Sequence, residues 1–531
     1  MSEETNQAAR ADLLEGRTAL GIELGSTRIK ACLIGDDHRV LATGSSAWEN
    51  ELVDGHWTYS LDAVWAGLRE AVAALLAEVE TSYGVRPVVG ALGVSAMMHG
   101  YLAFDEAGEQ LVPFRTWRDT TTGPAAAELT DLFGQNIPLR WSIAHYRQAM
   151  LDAEPHVARV RHLTTLAGYV HWQLTDEQVL GVGDASGMVP IDPATGDYDT
   201  ALLTKFDELT GTDGPGIADL LPRVLSAGAD AGALTERGAS LLDPTGTLRA
   251  GIRCCPPEGD AGTGMVATNS IAPRTGNVSA GTSVFAMVVL ERALQRVHHE
   301  IDVVTTPAGD PVAMVHCNNG ASELGAWAAM FGELAAALGV VCDDDTVFAA
   351  LLHAAVGGEA DAGGLLAYNF LAGEPVAGLV EGRPLVVRTP SSRLSLGNFA
   401  RAQVYGVFAT LALGMRVLAS EDVAVERMFA HGGIFRTEGV AQRALAAALD
   451  VPVTVGETAA EGGAWGIAVL AAYLRTGAGA PLADHLTDTV FADAPTQVAE
   501  PDPAEVAGFA AYLERFTAGL PAQQAAASTI H

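Results

Sequence analysis

The chain has 531 residues, 49% of them hydrophobic, and a formal net charge of −33. That length exceeds one core and implies two large domains or more, while the acidity argues against nucleic acid or an anionic membrane as partner. Cys32, Cys254, Cys255, Cys317 and Cys342 form no CxxC pattern and fit a reducing cytoplasm better than a disulfide frame or zinc site.

The opening MSEETNQAARADLLEGR is polar, lacks the order of a signal peptide, and is expected to be a disordered lead over residues 1–17. Strand-like runs follow near 18–24, 28–35 and 39–45, then an amphipathic helix at about 61–79. Pro87 to Ser95 reads as a buried strand because its apolar run is short and continuous. Helices are expected near 124–133, 144–153 and 165–174. From about Leu180 to Ile252 the chain is rich in turn signals, such as Asp192 to Gly196 and Asp213 to Gly216. The second half restarts at Gly259 with a second hairpin, then helices near 320–334, 344–353 and 398–420. A strand at Arg427 to Ala430 leads into Gly432-Gly433, with a helix at 437–449, a strand at Val451 to Val455 and a helix over 459–474. The tail beyond about Leu520 is expected to fray. Hairpins followed by βα units, occurring twice, predict an α/β protein of two similar domains around a ligand cleft, with a boundary near residue 255.

Two turns in this pattern carry chemistry. Gly21 to Lys30 and Gly276 to Phe285 each place a Gly-Ser/Thr tip between apolar runs. Such a tip cradles phosphate, since glycine lets the backbone approach an anion and the N–H groups point at it. Lys30 is one of only two lysines, the other being Lys205, and it lies just behind the first tip. Asp260, on a Gly-flanked turn heading a helix, suits a general base that takes a proton from a hydroxyl. Asp is also a favoured helix N-cap, and the two roles are compatible. No GxGxxG opens a helix after the first strand, so a dinucleotide-dependent dehydrogenase is poorly supported.

The order of these motifs resembles the FGGY carbohydrate kinases of the actin-like ATPase superfamily, xylulose kinases above all, over about residues 18 to 476. Gly21 to Lys30 resembles the family's first phosphate motif, and Gly281-Thr282-Ser283 its second. Ser95 to Gly100 resembles the sugar-site S-G-Q-M-H-G, and Arg115 to Asp119 the W-x-D segment. Gly259-Asp260 matches the catalytic Gly-Asp, Ala430 to Gly433 the adenosine-binding glycines, and Gly462 to Gly466 the G-P-A-L-G-A segment that follows.

The resemblance implies two actin-like (ribonuclease H-like) domains, 18–255 with the sugar site and 256–531 with the base and ATP site. It implies ATP and Mg2+ as cofactors, a small sugar as substrate, no nucleic-acid or membrane partner, and it is compatible with a homodimer. Asp260 would be the base and Glu23 would lie at magnesium. Gly25, Ser26, Thr27, Lys30, Gly281, Thr282, Ser283, Gly432 and Gly433 would hold the nucleotide. Met98, His99, Trp117, Asp119 and Asp260 would line the sugar, and Asp184 would organise the pocket wall.

Three departures stand out: Glu23 replaces the usual Asp, Met97 replaces Gln, and Ala261 replaces the Asn that xylulose kinases carry after the catalytic Asp. Ribulokinases more often have a small residue there. A ribulose or polyol kinase and a non-catalytic nucleotide switch are therefore the competing expectations.

Overall fold

In the computed structural model, which describes residues 3–211, 214–456, 462–477 and 479–530, the opening lead is ordered. Glu3–Glu15 is a helix. Ala9 and Leu13, one turn apart, are both buried, and the Leu13 carbonyl accepts the Val88 N–H at 2.7 Å. The expected disorder is thus corrected: an Ala- and Leu-rich stretch with apolar residues at helical spacing has a surface to dock on.

Two units emerge from the contacts. The first comprises residues 1–271, 303–312 and 458–494, and the second comprises 272–302, 313–457 and 495–531. The break near 255 expected from sequence falls instead after Ile271, so Asp260 belongs with the first unit. Strand pairing is the reason. Glu258–Gly259 lies parallel to Val89–Ala96, with Glu258 opposite Ser95 and Gly259 opposite Ala96. Of the helix expected over 459–474, residues 459–461 lie outside the described residues, as does Asp213 of the earlier turn. The described helix is Gly463–Thr476.

The first unit is built on a meander of Thr18–Leu24, Arg28–Ile34 and Val40–Ala47, with Val89–Ala96 added parallel to the first strand. The helix Leu61–Tyr83 starts at Ser60, whose hydroxyl accepts the Ala63 N–H, and stops at Gly84 in the left-handed region. It buries Val64, Leu68, Val72, Leu75 and Val79 on one face. The Gly463–Thr476 helix is pinned to the same meander: Trp465 Nε1 donates to the His38 carbonyl at 2.9 Å and Arg475 to the Gly16 carbonyl at 2.8 Å.

In the second unit the hairpin Thr275–Ala280 and Val284–Val289 is again antiparallel, and Arg427–His431 lies parallel to its first strand. This repeats the arrangement of the first unit and makes the fold a two-domain, actin-like α/β architecture. The helix Leu396–Ala419 is long and apolar enough to cross a membrane by length and composition, but most of it is buried within the protein. Residues beyond 520 do not fray: Pro503–Thr529 is one helix, with Gln523 fully buried.

Candidate active site

The first turn, residues 25–27, links two strands in which Glu23 and Lys30 are direct cross-strand partners. The Gly25 N–H closes the turn on the Arg28 carbonyl at 3.0 Å, and Ser26 and Thr27 are exposed. Its carbonyls face the other way. Gly25 O accepts Trp48 Nε1 at 2.7 Å, Ser26 O accepts the Tyr59 hydroxyl at 2.7 Å, and Thr27 O accepts the Trp48 N–H at 3.2 Å.

Asp260 opens the helix Asp260–Ala267, and its Oδ1 accepts the Met98 N–H at 3.1 Å. Thr263 ties that helix to the strand ending at Ala96, its hydroxyl 3.1 Å from the Ser95 hydroxyl. Burial pushes the Asp260 carboxyl upward, opposed by N–H groups of Met98, Ala261 and Asp260 itself. Glu23 is pushed up to about 7, by burial first and by the Asp260 charge second, with Lys30 pulling the other way. Two carboxylates short of positive charge are a donor set suited to a hard divalent cation, which takes one or two protein carboxylates and fills the rest of its shell with phosphate and water.

Next to Met98, His99 has a φ of 73° and Gly100 a φ of 98°. A histidine in the left-handed region is uncommon, and such outliers gather at ligand sites. The conformation is held from several sides: His99 Nδ1 lies 3.3 Å from the Gly187 carbonyl, and the Gly100 carbonyl accepts the Ser142 hydroxyl at 2.6 Å. Asp260 and the Met98-His99 pair are therefore one connected piece of the first unit.

Behind them lies a fully buried acidic pair. Glu258 accepts the N–H groups of Gly183 and Asp184 at 3.3 and 2.9 Å, and Asp184 accepts the Thr165 hydroxyl at 2.6 Å. Burial, with the Asp260 charge adding to it, pushes Asp184 up to about 7. Burial and then the Asp184 charge push Glu258 well above the carboxylate range. The Asp184 carbonyl accepts the Gly187 N–H at 3.0 Å, which connects this pair to the carbonyl that faces His99.

Other candidates fall differently. Asp119 pairs with His56 and with the Thr121 N–H and hydroxyl rather than with Arg115 or Arg118, and its side chain is wholly buried. Trp117 is 37% exposed. Two further tryptophans are enclosed: Trp141 is buried beside His99, and Trp172 packs against Phe104 and His162.

In the second unit the turn 281–283 closes with the Gly281 N–H on the Ser283 carbonyl at 2.9 Å. The Gly281 and Thr282 carbonyls accept the N–H groups of Ala321 and Gly320, each at 2.7 Å. Gly320 is obligatory here, because a Cβ would sit 2.3 Å from the Gly281 carbonyl oxygen. Asn369 fixes this brace by donating to the Gly320 carbonyl at 2.8 Å. Gly432, at a φ of 120°, passes so near the same hairpin that a Cβ would sit 2.1 Å from Ala280 O, whereas Gly433 has open space around it.

The turns, Asp260 and the His99 strand are visible in the sequence, whereas Trp48, Tyr59, Glu258 and Gly320 are not singled out by it. Glu258 was within reach as a second acid two residues before Asp260. The others act through pairings distant in the chain and leave no local pattern.

The N-terminal domain model of the FGGY family of carbohydrate kinases matches residues 18–247 and the C-terminal domain model matches 276–475. A xylulose kinase of Lactococcus lactis is 23% identical over 181 residues, 33% of this chain and 36% of that protein. A rhamnulokinase of Yersinia pestis is 24% identical over 160 residues, 28% of this chain and 32% of that protein. These alignments thus span about a third of either relative. The crystal structure of a xylulose kinase from Rhodospirillum rubrum superposes with a TM-score of 0.77 at 21% identity, covering 95% of this chain and 99% of that one. With both domain models matched in order across most of the sequence, the chain belongs to the FGGY family of carbohydrate kinases.

Proposed function

We propose that this protein transfers the terminal phosphoryl group of ATP to a hydroxyl of a ketopentose, D-xylulose to D-xylulose 5-phosphate before others. The observation that carries the reading is the hydrogen bond from Met98 N–H to Asp260 Oδ1, which joins a half-buried carboxylate to a strained His99. Asp260 accepts the proton of the attacking hydroxyl. Met98 and His99 orient the sugar, with Trp117 as the exposed aromatic of that wall, while Asp119 supports the wall through Thr121. Ser26 and Thr27 with Lys30 hold phosphate in the first unit. In the second unit Thr282 and Ser283 offer hydroxyls to phosphate, and Gly432 and Gly433 give adenosine a flat surface. Magnesium, when bound, would be held by Glu23 and would offset the charge of the phosphates. Phosphoryl transfer needs positioning and charge neutralisation more than covalent chemistry, which this residue set can supply. Among the described residues no disulfide joins the five cysteines, four of them buried, which suits a reducing compartment.

Ala261 favours a second reading, a ribulose or other sugar kinase, because it cannot supply the side-chain contact made by Asn. The test is coupled ADP release with magnesium and ATP across ketopentoses, ketohexoses and polyols. D-xylulose stimulating turnover far above the sugar-free rate supports the first reading. Preference for ribulose or a polyol supports the second, and nucleotide binding with no sugar-dependent turnover overturns both.

A further inference from the structure

We propose that Trp48 and Tyr59 form a brace that presets the first turn for the outer phosphates of a nucleoside triphosphate; the role rests on the kinase reading above. Three consecutive carbonyls, those of Gly25, Ser26 and Thr27, each receive one hydrogen bond from this pair. In a trans peptide the carbonyl and the following N–H point in opposite directions. Fixing the carbonyls of Gly25 and Ser26 on the aromatic side therefore turns the N–H groups of Ser26 and Thr27 away from it. Those two residues are exposed, and among the described residues neither N–H has a protein acceptor. Outward N–H groups and hydroxyls at a glycine turn are the ingredients of an anion cradle.

The brace is itself rigid. The Trp48 and Tyr59 rings stack 4.2 Å apart at 27°, and both residues are almost fully buried. A buried indole N–H and phenol O–H each require an acceptor, and here both are spent on the turn. A peptide held in its binding orientation before the ligand arrives does not have to be ordered by it, so the brace acts through affinity. Trp48 and Tyr59 are positioning residues, since the phosphate is met by the turn and not by the rings.

The experiment measures, by calorimetry, the affinity for a non-hydrolysable ATP analogue with magnesium in Tyr59→Phe and Trp48→Phe, beside Tyr169→Phe. The last removes a comparable aromatic hydrogen bond, from Trp65 Nε1 at 3.1 Å, elsewhere in the same unit. Each brace variant should weaken the analogue roughly three- to tenfold, the worth of a neutral hydrogen bond. ADP should weaken less and the KM for sugar should hold, as should analogue affinity in Tyr169→Phe. Inorganic phosphate serves as a separate arm: an equal loss there would assign the cradle to free phosphate and overturn the nucleotide claim. Unchanged analogue affinity in Tyr59→Phe, with its melting temperature near that of the parent, would also overturn it. A parent protein that binds the analogue but releases no ADP with any sugar would sink the kinase reading alone.

Discussion

In the first unit the turn carbonyls of Gly25, Ser26 and Thr27 are held largely by side chains, whereas in the second those of Gly281 and Thr282 are held entirely by main-chain N–H groups. The outcome is the same, a glycine-hydroxyl tip with its amides turned outward, but the two constructions fail in different ways. An aromatic brace loses one bond at a time when a hydroxyl or indole is removed. A main-chain brace is indifferent to side chains except at Gly320, where any Cβ forces the strands apart. The surroundings differ as well. The first turn follows the strand of Glu23, whose proton affinity the Asp260 charge raises, while the second is steadied by Asn319 and Asn369. On the proposed mechanism acid–base chemistry belongs to the first unit, and the second turn contributes neutral grip.

The largest effect expected from breaking this contrast is at Asp260, the proposed base. Asp260→Asn should lower sugar-dependent ADP release by roughly two to four orders of magnitude, the usual worth of general-base catalysis, with the circular dichroism spectrum unchanged. Gly320→Ala comes next: it should cost at least tenfold in nucleotide affinity and lower the melting temperature, since Cβ at 2.3 Å from a carbonyl must displace backbone. Gly432→Ala and Gly433→Ala sharpen the point. The first clashes with Ala280 O and should impair both folding and binding, while the second has room and should lower nucleotide affinity alone. Gly433→Ala with parental affinity would remove the adenosine role from that residue.

The smallest effect is on pH dependence. Asp184 is raised from 3.8 to about 7 in the folded protein, so the native state holds its proton over that range while the unfolded state has lost it. Stability contributed by this group is present at low pH and falls as pH rises from about 4 to 7. Asp184→Asn should flatten that part of the melting-temperature profile; an unaltered slope would show that Asp184 ionises normally.

Much of this was legible in the sequence because it is local. The hairpin tips, the Gly-Asp at the head of a helix and the apolar strands are defined by neighbours within ten residues, where backbone preferences and periodicity act. The unit boundary was not. Asp260 follows a strand whose partner is residues 95–96, and no pattern near residue 258 announces a pairing so distant. Trp48 and Tyr59 were hidden for the same reason, since an aromatic residue has no spacing rule for a carbonyl beyond the next strand. The lead failed for another reason: its polar composition suggested disorder, and only the Ala9 and Leu13 contacts provide the burial that offsets ordering a short helix.

The return of residues 458–494 to the first unit has a consequence for biosynthesis. The Gly463–Thr476 helix, with Trp465 and Arg475 bonded to the meander at His38 and Gly16, emerges from the ribosome long after that meander has been made. Until it arrives, the nascent first unit carries an uncovered apolar face, a state of high contact order that folds slowly and invites aggregation. Truncated chains ending before residue 458 should therefore depend on chaperones far more than the full chain does, even though they contain Asp260, the first turn and the His99 strand.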